Sequence, residues 1–224
     1  MKKTLLMAAL AAAVVGGALG GGKQAVSTFT DKRDGKVYRI VEIGGAVWMA
    51  ENLNYAAEGS KCYGEGGIIE RDGKTLTNAE IQAYCTKYGR LYYWDAAKKA
   101  CPAGWHLATD EEWTALVDYA GGDSTAGTKL KSSQYWHRYY PDGRPINVPE
   151  ITNDYGFSAL PGGFGESDDF YMNADDIGYW WRAMKDKDNP AGAKIMNYLD
   201  MEVMGGEGGN DETHLLSVRC VADK

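Results

Sequence analysis

The sequence predicts one exported domain that mixes short strands with two well-capped helices and ties its final strand back to its middle. Three observations carry that reading. Thr77-Asn-Ala-Glu80 and Thr109-Asp-Glu-Glu112 are two capping-box patterns, each followed by apolar residues at helical spacing. Val37 to Ile43 alternates within a β-branched run, as a half-buried strand does. Cys101 sits just before the second capped helix, and Cys220 lies within the apolar run that closes the chain.

Taken in order, Met1-Lys2-Lys3 is a short basic start, and Thr4 to Val15 is almost wholly apolar. Ala18-Leu19-Gly20 places small residues where a signal peptidase reads, so residues 1–20 are expected to be a cleaved secretory signal. The apolar run is shorter than the roughly 20 residues a membrane span needs. Residues 21–28 are expected to be a flexible leader, and residues 29–224 a single domain with no second-domain linker. Arg33-Asp-Gly-Lys36 marks a turn between strands, and Gly44-Gly45 marks another before Ala46 to Met49. Ile81, Tyr84, Cys85 and Tyr88 share a helical face that Gly89 ends. Asp95 to Lys99 favours helix, and Pro102-Ala-Gly104 breaks it. Trp113, Leu116, Val117 and Ala120 form the apolar face of the next helix, expected to pack beside Trp105, and Gly121-Gly122 stops it. Glu111 and Glu112 are expected to face solvent. They lie about 100° apart on the helix, so they do not converge as a catalytic pair. Beyond Gly122 the chain reads as loop-rich, with buried strands near Tyr179 to Ala183 and Leu215 to Val221.

The net charge is −7, which gives no attraction to nucleic acid or anionic lipid. Four cysteines in an exported chain imply two disulfides, with three pairings available, and the lack of any Cys-x-x-Cys argues against zinc. Fifteen tyrosines and seven tryptophans supply core volume, and on the surface they supply flat faces able to stack on sugar rings.

Val47-Trp-Met-Ala-Glu-Asn-Leu-Asn-Tyr55 is followed by Tyr88-Gly-Arg-Leu-Tyr-Tyr-Trp94 and Cys101-Pro-Ala-Gly-Trp-His-Leu107. Tyr155-Gly-Phe-Ser-Ala-Leu-Pro-Gly-Gly163, Trp180-Trp181 and Ser217-Val-Arg-Cys220 complete the order. In that order they resemble the Fibrobacter succinogenes major paralogous domain, a family of secreted bacterial modules, across residues 29–222. That family is similar to the C-type-lectin-like fold of the sulfatase-modifying factors. Trp94-Asp-Ala-Ala97 and Leu107-Ala-Thr-Asp-Glu-Glu-Trp113 follow that order, with Ala108 in place of the usual proline. The resemblance implies an α+β, C-type-lectin-like or sulfatase-modifying-factor-like domain with short antiparallel strands, two or three helices and long loops. Export, the even cysteine count and the family order together favour the pairs Cys62–Cys85 and Cys101–Cys220. A shared fold does not by itself imply an activity.

Formylglycine-generating enzymes of that wider group use copper and two cysteines in the C-terminal half, where this chain has only Cys220. The related iron enzymes need a histidine set. His106, His137 and His214 are the only histidines here, none at i, i+4 spacing. The calcium–sugar motifs of true C-type lectins are likewise missing: Val148-Pro149-Glu150 has the wrong order. The expectation is a secreted or cell-surface, non-catalytic module that binds glycan or protein through aromatic loops and does not bind nucleic acid. Its candidate contacts are Tyr135, Trp136, Tyr139, Tyr140, Phe170, Tyr171 and Tyr179. No cofactor is expected beyond a structural calcium, for which the acidic loop offers Asp168, Asp169, Asp175 and Asp176, since calcium takes six to eight oxygens. The second reading is a diverged metal-dependent enzyme on a formylglycine-generating-enzyme-like scaffold.

Overall fold

The computed structural model describes residues 27–70, 72–138, 143–206 and 213–224. The expected signal peptide and most of the expected leader lie outside them. The leader's last two residues, Ser27 and Thr28, already belong to β1 (Ser27–Thr30), because they pair with Ile40 and Arg39 of β2 (Val37–Ile43). Gly44-Gly45, with φ of 61° and 81°, turns β2 into β3 (Ala46–Met49). This is the left-handed pair that a two-residue hairpin demands.

Two short strands follow, β4 (Ser60–Lys61) and β5 (Ile68–Ile69), and then helix α1 (Asn78–Tyr88). The expected capping box is formed: the Thr77 hydroxyl accepts from the Glu80 N–H, and the Glu80 carboxylate accepts from the Thr77 N–H. β6 (Leu91–Tyr92), α2 (Trp94–Ala100), β7 (Trp105–Leu107) and α3 (Asp110–Tyr119) come next. The Thr109–Glu112 box caps α3 in the same way. Glu111 is exposed against Lys185, whereas Glu112 is half-buried, because its carboxylate also receives His106.

The region read as loop-rich contains a short helix, α4 (Ala126–Leu130), and the hairpin β8 (Gly162–Gly165) and β9 (Phe170–Ala174). β10 (Ile177–Ala183) pairs with β11 (Ala191–Asn197) along its whole length, and β12 (Met204–Gly206) borders β11. The final apolar run is two strands rather than one, β13 (Leu216–Ser217) and β14 (Cys220–Ala222).

The described strands form two sheets, and the fold is α+β. The first has the order β1-β2-β3-β14-β7; the second runs β4-β6-β13-β10-β8-β9-β5, with β11 and β12 continuing from β10. Successive residues of a strand face opposite sides. Trp48 and Trp180 therefore enter one apolar cluster with Trp113, Leu116 and Phe157, while their neighbours Met49 and Trp181 enter another with Trp94, Leu107 and Val218. Trp105 falls in that second cluster, packed at a tilt against Phe29 with ring centroids 5.0 Å apart, so Trp113 does not pack beside it as the helical pattern alone implied. The disulfides are Cys62–Cys85 and Cys101–Cys220, with Cα separations of 5.1 and 5.8 Å. Among the described residues no helix is long and apolar enough to cross a membrane.

Candidate functional site

The chain leaves β3 through Ala50-Glu51-Asn52, and Asn52 becomes a buried junction. Its amide donates to Tyr88 O (2.9 Å) and Ser217 Oγ (3.3 Å), and its carbonyl oxygen accepts from Trp180 Nε1 and Arg219 Nε, both at 2.8 Å. Arg219 is fully buried and reaches three main-chain oxygens besides: Met49 at 2.9 Å, and Phe157 and Ser158 at 2.8 Å each. Its guanidinium also lies over the Phe157 ring. Burial pulls its pKa down to about 9, so it stays charged at neutral pH while held by carbonyl dipoles rather than by a carboxylate. Gly89 closes α1 at φ 78°, where a Cβ would come within 2.8 Å of Leu53 O. No side chain is tolerated at that crossing.

Above this junction lies a groove of about 730 Å³. Lys36 and the start of β2 to Arg39 form one wall, Thr86 to Tyr88 of α1 with its cap Gly89 form another, and the loop from Ser132 to Tyr135 forms a third. Asn52, Asn153 and Ser158 also line it. Six described non-glycine residues have positive φ, and three of them, Tyr135 (73°), Asn153 (51°) and Ser158 (54°), line this groove. Such strained conformations persist where the surroundings over-determine them, and they concentrate at functional sites. The side-chain oxygen of Asn153 accepts from Ser158 N, and its amide donates to Ser158 Oγ, both at 3.0 Å. The Ser158 hydroxyl proton goes to Gly156 O.

The charges around the groove are paired. Arg39 Nε meets Glu51 at 3.2 Å, and Lys36 meets Asp34 at 3.2 Å and donates to Asn54 O. Lys87 Nζ meets Asp175 at 2.7 Å and lies over the rings of Tyr88 and Tyr135. Tyr88 donates to the same Asp175 carboxylate; burial first, and then that bond, push its pKa upward. Burial raises Tyr38 to about 12. Both phenols are therefore neutral at physiological pH. What faces the groove is these paired charges together with amides, hydroxyls and one open aromatic ring.

The sequence-predicted site residues are only partly brought together. Tyr135 is 48 % exposed, lines the groove and meets Tyr88 edge-on at 6.1 Å. Trp136 is buried, its Nε1 donating to Ala159 O, and Tyr171 is buried, its hydroxyl donating to Glu65 O. Neither offers a face to a ligand. Strand alternation explains Tyr171: on β9 it points inward, and its neighbour Phe170 points outward beside Ile68 of the paired strand. Phe170 does not line the groove, and nor does Tyr179, which packs half-buried against Phe164 at 4.9 Å. Tyr139 and Tyr140 lie outside the described residues.

The carboxylates considered for calcium are dispersed. Asp169 pairs with Lys61, Asp175 with Lys87, and Asp176 with His137 Nδ1 at 2.5 Å, while Asp168 is exposed in the β8–β9 turn. Among the described residues no three His, Cys, Asp or Glu side chains are grouped to hold a metal, and side chains of the protein itself take up three of these four acids. The histidines are likewise apart: His106 between Glu112 and Asp223, His137 on Asp176, His214 beside Phe164.

Asn52, Asn153 and the Ser132-Ser-Gln134 loop were not singled out from the sequence. Asn52 lay inside a recognised motif, and Asn153-Asp-Tyr-Gly156 carries the residue types that accept left-handed backbone. Those signals mark a shaped turn, but not that distant turns meet. The family model described as the Fibrobacter succinogenes major domain matches residues 41–222. No curated protein and no solved structure matches the chain.

Proposed function

The chain belongs to the Fibrobacter succinogenes major domain family, and from that premise we propose that it is an exported, non-catalytic module that binds glycan in the groove beside Tyr135. The observation that carries this reading is the groove's chemistry. An open tyrosine ring borders a concave surface of amides, hydroxyls and internally paired charges, and Tyr135, Asn153 and Ser158 on it hold left-handed backbone. Sugars use this combination: a flat face for C–H stacking and convergent donors and acceptors for hydroxyls.

Several features support the rest of the proposal. Two disulfides favour an oxidising compartment outside the cytosol. The Ser158 hydroxyl proton is committed to a main-chain carbonyl, which makes it scaffold rather than nucleophile. We further propose that the α+β arrangement is of the C-type-lectin-like or sulfatase-modifying-factor type, with ligand recognition moved to a groove that needs no bridging metal.

The test is a glycan array followed by calorimetry on the wild type and Tyr135→Ala, with and without chelator. A stacked ring contributes about 0.5–1.5 kcal/mol on the aromatic-pair scale, so the variant should bind about two- to twelvefold more weakly. Chelator should change nothing. Unchanged affinity in Tyr135→Ala, or dependence on copper or iron, contradicts the proposal.

A further inference from the structure

A second cleft, of about 230 Å³, lies one helical turn away along α1. Tyr84 lines it, as do Asp72, Asn173 and Asp175, whereas Tyr88 lines the larger groove. Tyr84 and Tyr88 are four residues apart and therefore stack on the same side of the helix. The rings form a continuous row: Tyr135 to Tyr88 at 6.1 Å, Tyr88 to Tyr84 at 6.0 Å, and Tyr84 to Tyr63 at 4.9 Å. Asp175 lines the second cleft, yet it bonds to both Lys87 and Tyr88 of the first. The divide between the clefts is thus a ridge of Tyr84 and Lys87 on α1, with Tyr88 buried. Tyr135 is exposed at one end of it, and Tyr84 is half-buried at the other.

We infer that the two clefts form one track, and that the ligand is a neutral oligosaccharide long enough to cross the ridge rather than a single sugar or an acidic chain. This rests on the glycan-binding reading of the larger groove. The two accessible rings, Tyr135 in the larger groove and Tyr84 in the second cleft, supply one stacking position at each end of a linear chain, while Tyr88 and Tyr63 are buried and hold those rings in place. The charge pattern selects neutrality. Lys87 at the ridge is neutralised by Asp175, and Arg39 and Lys36 in the groove are neutralised by Glu51 and Asp34. The second cleft adds the carboxylates of Glu70 and Asp72, which accept bonds from hydroxyls and repel uronates, while its Lys74 is neutralised by Glu80 at 2.6 Å.

The experiment is calorimetry of the intact protein against β-1,4-linked gluco-, xylo- and manno-oligosaccharides from disaccharide to octasaccharide, with oligogalacturonides as the acidic series. Affinity for a neutral series should rise by about tenfold or more once the chain is long enough to occupy both clefts, because the second contact is intramolecular. Tyr84→Ala should remove that gain, and Tyr84→Phe, which keeps the ring and the packing against Tyr63, should retain it. Circular dichroism on both variants establishes that they are folded. Binding that is flat with chain length, or a gain that persists in folded Tyr84→Ala, overturns the track while leaving the groove reading intact. Tighter binding of oligogalacturonides overturns the neutral class. Absence of binding by every series at every length overturns the track and the groove reading together.

Discussion

At the scale of single residues, the chain spends its most specific chemistry on buried junctions. Asn52 uses both halves of its amide, and Arg219 sits without a carboxylate among carbonyl oxygens. An orphaned buried polar group costs about 1–3 kcal/mol, more when charged. Asn52→Leu, similar in size but unable to bond, should therefore lose on the order of 3–5 kcal/mol in urea unfolding. A loss comparable to that of an exposed substitution would show that the junction is incidental. His106 makes a pH prediction. Burial lowers its pKa, but hydrogen bonds to Asp223 and Glu112 outweigh this, and the net shift is upward from 6.5. A raised folded pKa stabilises while the imidazolium is present: fully below about pH 6.5, and lost as pH rises through the folded value. The urea midpoint should fall across that window in the wild type, and His106→Gln should flatten the dependence. An unchanged pH slope in the variant would contradict the assignment.

At the scale of elements, the legible parts were those whose information is local. Thr77, Glu80, Thr109 and Glu112 announce two helices because capping is settled within four residues. Gly44-Gly45 announces its hairpin for the same reason. Helix α4 was missed because it is short, and Thr125 before it makes no side-chain cap. The split between β13 and β14 was missed because both read as one apolar run. Only the burial of Arg219 among distant carbonyls shows why the strand must break there. The candidate site was less legible still. Tyr135 was identified by composition, but Trp136 and Tyr171 were grouped with it because sequence alone does not show which side a loop residue faces. Helix α3 offers a direct test. Trp113 is fully buried against Trp48 and Phe157 at 5.2 and 5.7 Å, and its Nε1 has no hydrogen-bond partner. Trp113→Ala should cost about 3–5 kcal/mol, Trp113→Phe clearly less, and Glu111→Gln on the exposed face less than about 0.5. Equal losses for Ala and Phe in thermal unfolding would mean that the indole contributes something other than volume.

At the scale of the whole molecule, the two disulfides constrain very different lengths of chain. Cys62–Cys85 spans 23 residues and Cys101–Cys220 spans 119. Loop-closure entropy assigns about 3 kcal/mol to the first and about 5 to the second. Paired Cys→Ala variants in guanidinium unfolding should follow that order, and a reversed order would mean that native-state contacts outweigh chain entropy here. The longer bridge anchors the one segment that enters both sheets. β13 stands between β6 and β10, and β14 stands between β3 and β7, so each sheet is missing an inner strand until that segment is in place. It follows every other element in chain order. A polypeptide is made from its N-terminus, so neither sheet can close while the preceding residues emerge. Native structure must wait for β13 and β14 and then appear in one concerted step. A domain built this way stays open along both sheets until that last segment docks, and locks only then.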